Sequence, residues 1–249
     1  MAILAVTGPP SIAKAAPIPL IISADPWCPY NCDDSSRERG FMVDIVSEIL
    51  ARHDYVVTYR NDPWPKALED VASGKVDAVV GAGDSDAKDL IKAPEPLGIN
   101  KTCFLTLAAK DWSYSGVPKL ASVRLGVISG YLYGGAVDQY VDENRIRFDK
   151  VQLVSGDRPL LQNVRKLQSG RIDVLAENEM VMSFSMRKFA ILGIRSAGCD
   201  PEIPLYVAFS PKRSDAKRLS EYINVGVSEL RRSGGLRKIL DRYGVKDWR

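Results

Sequence analysis

The chain has 249 residues, 45% of them hydrophobic and 26% charged, which is the usage of a globular protein and not of a disordered, fibrous or membrane chain. Lys plus Arg total 34 against 31 Asp plus Glu, and the net charge of +3 is spread without a basic block, so no nucleic-acid partner is expected. No run approaches the roughly 18 apolar residues of a membrane-spanning helix, so no membrane insertion is expected, and one histidine argues against histidine-based metal or triad chemistry.

The first residues, MAILAVTGPPSIAKAAPIP, place a five-residue apolar run after Met1 and then Thr7, Gly8, Pro9, Pro10 and Ala13-Lys14-Ala15. They read either as the back half of a signal peptide, with a mature chain from near Ala16, or as a disordered terminus. Residues 1–17 are set apart on that ground. Strand Leu20 to Ser23 follows. Next comes a polar loop in which Cys28 and Cys32 flank Pro-Tyr-Asn, a spacing that a local bridge closes if the loop turns back. Cys103 and Cys199 are left either as a second pair or as two buried thiols, and an oxidising compartment is expected.

Helix Phe41 to Arg52 keeps Phe41, Ile45, Ile49 and Leu50 near one face, and strand Tyr55 to Tyr59 follows it. Helix Trp64 to Ser73 and strand Val76 to Val80 contain the most informative feature of the chain. Leu68-Glu-Asp-Val71-Ala-Ser-Gly74-Lys-Val-Asp77 returns 96 positions later as Val164-Arg-Lys-Leu167-Gln-Ser-Gly170-Arg-Ile-Asp173. Helix, glycine stop and strand occur twice, and Gly74 and Gly170 suit left-handed helix ends, so two lobes of similar build are implied.

The second lobe repeats the alternation. It has strand Arg124 to Ile128, helix Gly135 to Asn144, a strand near Val151, helix Pro159 to Ser169 and strand Ile172 to Leu175. Alternating strands and helices predict an α/β protein with a mainly parallel sheet in each lobe. Thr102 to Ala108 and Leu205 to Phe209 read as crossovers side by side, a hinge between lobe 1 (18–106 and 205–249) and lobe 2 (107–204). Helices Ser214 to Arg231 and Leu236 to Tyr243 end the chain.

Ligands of open parallel sheets bind beyond the carboxyl ends of the strands, where loops and helix N-termini present free backbone donors. That rule selects Asp25-Pro26-Trp27, Gly81 to Asp86, Ser129 to Tyr133, and Glu177-Asn178. The candidates are aromatic and polar: Asp25, Trp27, Trp64, Tyr131, Tyr133 and Glu177. Core packing competes for Trp27 and Trp64, and helix capping for Asp84 and Asp86. His53 reads as a solvated surface group. Gly130-Tyr-Leu-Tyr-Gly134-Gly135 lacks both dinucleotide spacing and a P-loop lysine. No cofactor or metal is called for.

Several segments together resemble the bacterial solute-binding proteins of family 3, the type II periplasmic binders of polar amino acids. They are the Asp-Pro-Trp segment, Gly40-Phe-Met-Val-Asp44, Pro63-Trp64-Pro65-Lys66-Ala67-Leu68, both Ser-Gly-Lys/Arg-x-Asp units, Gly126-Val-Ile-Ser-Gly130 and Tyr243-Gly244. The resemblance runs from about Pro19 to the C-terminus. It implies an exported periplasmic receptor, expected as a monomer, whose two lobes close on a small solute and deliver it to an ABC-transporter permease. By matching position it assigns ligand contact to Trp27, Trp64, Gly81, Ala82 and Asp84 in lobe 1, and to Ile128, Tyr131 and Tyr133 in lobe 2.

Two departures stand out. The family's carboxylate-binding Arg is replaced by Ala87-Lys88-Asp89, and its amine-binding Asp by Asn178. Lys88 and Glu177 are the candidate replacements. Losing two charge-assisted bonds of roughly 1.5–3 kcal/mol each would remove about two to four decades of zwitterion affinity. A polar solute, aromatic or cationic, is therefore expected in place of an ordinary α-amino acid. The competing functions are a dehydratase-like enzyme with Glu177 as general acid, and a sensor or accessory binding module.

Overall fold

The computed structural model describes residues 16–249, so the expected signal remnant lies outside the described residues apart from Ala16 and Pro17. The first lobe opens with β1 (Ile18–Ala24), α1 (Phe41–Ala51), β2 (Tyr55–Asn61), α2 (Trp64–Ser73), β3 (Ala78–Ala82), β4 (Ile91–Lys92) and β5 (Gly98–Asn100). The chain then runs through β6 (Thr102–Leu107), a 3-10 turn at Val117–Ser122, β7 (Leu125–Ile128), α3 (Gly135–Asn144), β8 (Val151–Val154) and α4 (Pro159–Gln168). It continues with β9 (Val174–Asn178), α5 (Glu179–Lys188) and β10 (Ile194–Cys199). It returns through β11 (Ile203–Phe209), α6 (Ala216–Ser233) and α7 (Gly235–Tyr243).

Two sheets result, ordered β2-β1-β3-β11-β4 with β5 also on β11, and β10-β6-β9-β7-β8. In each, three strands joined by helical crossovers are parallel: β2-β1-β3 and β8-β7-β9. The returning strands β11, β6 and β10 are antiparallel to their neighbours, so both sheets are mixed. The matching order is the physical meaning of the internal echo. Each echo ends on an aspartate that anchors the middle strand of the parallel trio in its own sheet, β1 or β7. Asp77 accepts the Ile21 amide at 2.7 Å and Arg213 at 2.6 Å, while Asp173 accepts the Arg124 amide and its guanidinium, each at 2.9 Å. Gly74 ends α2 at φ 83°, as its place after the helix required.

The chain changes sheets earlier than the sequence pattern placed the change. β6 hydrogen-bonds only within the second sheet, and β11, from Ile203, only within the first. The two crossings do lie side by side: the Asp200 amide donates to Thr102 O at 2.9 Å, and Ile203 pairs with Asn100. A disulfide joins Cys103 on β6 to Cys199 on β10 at a Cα separation of 4.0 Å. A second joins Cys28 to Cys32.

Apolar faces hold the lobes. α1 buries Phe41, Met42, Val43, Ile45, Val46, Ile49 and Leu50 against β2, α6 and α7. Phe104, Leu125, Val127 and Val174 center a core in the second lobe. The sequence pattern had no counterpart for β4, β5, β10 or α5. The first three are short or irregular edge pairings set by their neighbours. α5 is introduced by Asn178, whose Oδ1 accepts the amides of Met180 at 2.8 Å and Val181 at 3.0 Å, an N-cap visible in the sequence as Asn-Glu before Met-Val.

Candidate functional site

The carboxyl ends of β1, β3 and β7 point toward one gap between the lobes, where a cavity of about 80 Å³ is lined by loop residues of both. From the first lobe, Asp25 and Trp27 follow β1. Trp64 opens α2 and Gly81 lies on β3, which turns into Gly83, Ser85 and Asp86. From the second lobe come Tyr131, Leu132, Gly134 and Asp138. The Cys28–Cys32 bridge closes the loop carrying Asn31, whose backbone O accepts the Trp27 amide at 2.6 Å. The Asn31 amide group donates to Asp25 O at 2.6 Å, while its Oδ1, in a cavity-lining residue 1% exposed, has no protein partner.

Side-chain hydrogen bonds cross the gap. The Tyr131 hydroxyl donates to the Asp25 carboxylate, and Trp27 Nε1 donates to Glu177 Oε1 at 3.1 Å. Gly130 sits at φ +82°, and a Cβ there would lie 2.6 Å from Pro65 Cγ of the opposing lobe, so only glycine fits that rim.

The electrostatics are one-sided. Burial lifts the Asp25 carboxyl to about 6, with the charge of Asp86 adding to it and the Tyr131 bond opposing it. Burial also lifts Glu177 to about 7, against the bonds from the Asn178 amide and Trp27 and with the charge of Asp25. Asp86 is raised by burial and by Asp138, although Gly83 N donates to it at 2.9 Å and Trp64 Nε1 at 3.3 Å. Asp138 accepts the Tyr133 and Gly134 amides at 2.7 and 3.1 Å, closing the start of α3. Among the described residues, the cavity is lined by no Lys, Arg or His.

A family model for the bacterial extracellular solute-binding proteins, family 3, matches residues 20–246. The chain belongs to that family. Its members are extracellular solute-binding proteins, and this chain is one of them. It is similar to a probable amino-acid-binding protein, YxeM, of Bacillus subtilis (strain 168), at 19% identity over 88% of this chain and 81% of that one. It is also similar to a probable histidine-binding protein of Campylobacter jejuni, at 21% identity over 90% of this chain and 84% of that one. An ancestral arginine-binding protein bound to arginine shares the fold, with a TM-score of 0.72 at 19% identity over 91% of this chain and 98% of that one. The two-lobed type II fold expected from the sequence is thereby shown. No helix among the described residues is long and apolar enough to cross a membrane.

Of the residues nominated from the sequence, the cavity gathers Asp25, Trp27, Trp64, Gly81 and Tyr131. Trp64 serves two roles: it is 8% exposed, packed in the first-lobe core, with its indole edge on the wall. The other nominations do not line it. Asp84 is exposed and pairs with Lys92, because the turn directs Asp86 inward instead. Lys88 is exposed and does not line the cavity. Ala82 packs in the core of the first lobe. Tyr133 is buried in the second-lobe core, its hydroxyl accepting the Ile128 amide at 2.6 Å, and Ile128 lines a neighbouring surface cleft.

Asn178 has both ends occupied: its Oδ1 caps α5, and its Nδ2 donates to Asn100 Oδ1 at 2.7 Å and Tyr30 Oη at 3.2 Å. Glu177 is 2% exposed and lies behind Trp27, where it ties the lobes without lining the cavity. Sequence reasoning missed Asn31 and Asp138. The signals available were the cysteine pair bracketing Asn31 and the position of Asp138 in the first turn of α3.

Proposed function

We propose that this chain is an exported receptor, expected in the periplasm, that acts as a monomer. It captures a small solute between lobes formed by residues 18–101 with 203–249 and residues 102–202, and presents the closed lobes to an ABC-transporter permease. One observation carries this reading: side chains from the strand ends of both lobes meet across the gap through the Tyr131–Asp25 and Trp27–Glu177 bonds, beside a cavity that residues of both lobes line. A solute bound there would bridge the lobes, and its release would follow their separation about the paired crossings near Asn100 and Ile203. The names of the relatives, amino-acid-binding and histidine-binding, support a small nitrogenous solute. The solute leaves unchanged in this reading, since Glu177, the one carboxyl nominated as general acid, lies behind Trp27 and outside the cavity lining.

Trp27 and Trp64 report on the cavity directly. Protein stripped of solute by unfolding and refolding should show a saturable change in tryptophan fluorescence with a member of a small-solute library, and a smaller radius of gyration by X-ray scattering. A library that produces neither change would refute the receptor reading.

A further inference from the structure

Resting on the receptor reading above, we propose that this cleft takes a small organic cation bearing no carboxylate, a primary amine or diamine, instead of a zwitterionic amino acid. The argument is an inventory of donors and acceptors. The cavity wall carries the carboxylates of Asp25, Asp86 and Asp138, and none of its residues is cationic among those described. The donors near them are already committed to carboxylates. Tyr131 donates to Asp25, Trp64 Nε1 and the Gly83 amide to Asp86, and the Tyr133 and Gly134 amides to Asp138. Those left, the Ser85 hydroxyl and the Asn100 amide, are neutral.

An independent observation points the same way. Asn31, a residue 1% exposed that lines the cavity from a loop pinned by a disulfide, has a side-chain acceptor, Oδ1, without a protein donor. Buried acceptors of this kind are normally hydrogen-bonded, and a ligand N–H is one donor that meets the need. An ammonium group brings three donors and a positive charge, which meets both the orphan acceptor and the uncompensated carboxylates. A ligand carboxylate would instead enter beside like charges with no charged partner of its own. The rings of Trp27, Trp64 and Tyr131 favour an organic cation over a metal ion, because a cation over an aromatic face is attracted and the alkyl chain is shielded from water. Leu132, Ile203 and Leu205 supply the apolar remainder.

Matched pairs test this with the full, solute-stripped chain in a calorimeter: 1,5-diaminopentane against lysine, and agmatine against arginine. Each pair differs only by the carboxylate. At least one amine should bind at least tenfold more tightly than its amino acid, and Asp86→Asn and Asp25→Asn should each weaken that amine at least tenfold while the protein melts cooperatively. If one variant does not fold, the other serves. Amino acids that bind as well as or better than the amines would overturn the inference and leave the receptor reading standing. Silence of both series, or a response only to calcium, magnesium or zinc chloride, would also overturn it. The receptor reading itself would fall only if the fluorescence library above were silent as well.

Discussion

Replacing Glu177 by Gln keeps the shape of the side chain and removes its charge. Glu177 is 2% exposed, its Oε1 accepts Trp27 Nε1 and the Asn178 amide, and its Oε2 has no partner. Burial, with the Asp25 charge adding, lifts its carboxyl from an ordinary 4.5 to about 7. Because the folded state holds this proton more tightly than the unfolded chain, the group's stabilising contribution is fully present below pH 4.5 and is lost as pH rises through 7. At about 1.4 kcal/mol for each pKa unit, ionised Glu177 costs the folded protein about 3 kcal/mol at pH 8. Glutamine can still accept both bonds at Oε1. Its second polar atom lies where protonated Glu177 would also hold an unmade bond, so the two proteins should be nearly equal near pH 4.5.

The E177Q protein should therefore gain on the parent steadily between pH 4.5 and 7 and melt roughly 6–12 °C higher at pH 8, at about 2–4 °C per kcal/mol for a chain of this size. Thermal unfolding of solute-free protein followed by circular dichroism across that range measures the difference. A difference that does not vary with pH would refute the assignment of a raised, uncompensated carboxyl to this position.

Other perturbations isolate other parts of the structure. The Cys103–Cys199 bridge closes a loop with a sequence separation of 96, so replacing both cysteines by serine should cost about 4–5 kcal/mol on a loop-entropy argument, read by chemical unfolding without reductant. Gly130→Ala forces a Cβ to within 2.6 Å of Pro65 and strains a φ of +82°. It should weaken solute binding at least tenfold by calorimetry while lowering the stability of the free protein by only about 1 kcal/mol. Asn178→Ala removes the α5 cap and the partner of Asn100, and should cost about 2 kcal/mol in stability at all pH values from 5 to 8 by thermal unfolding. Lys88 does not line the cavity, so Lys88→Ala should leave solute affinity within twofold; a larger loss would bring Lys88 back into the site.

The alternation of strand and helix, the two lobes and the Cys28–Cys32 bridge were legible in the chain because each rests on local chemistry. Apolar residues recur at helical spacing in Phe41 to Leu50, glycine ends α2, and two cysteines stand one short loop apart. Even α5 announced itself through Asn178-Glu179, although its cap was read as a ligand contact. The direction of side chains within the loops was decided only in three dimensions. Asp84 and Asp86 are two residues apart in one turn, yet Asp84 faces solvent beside Lys92 while Asp86 turns in to the Gly83 amide and Trp64. Apart from the Gly83 amide, their partners come from β4 and from the start of α2. The same holds for the acidic character of the cavity: Asp25, Asp86 and Asp138 lie far apart along the chain, and the pairing of β1 with β3 brings the first two together while the approach of the second lobe adds the third.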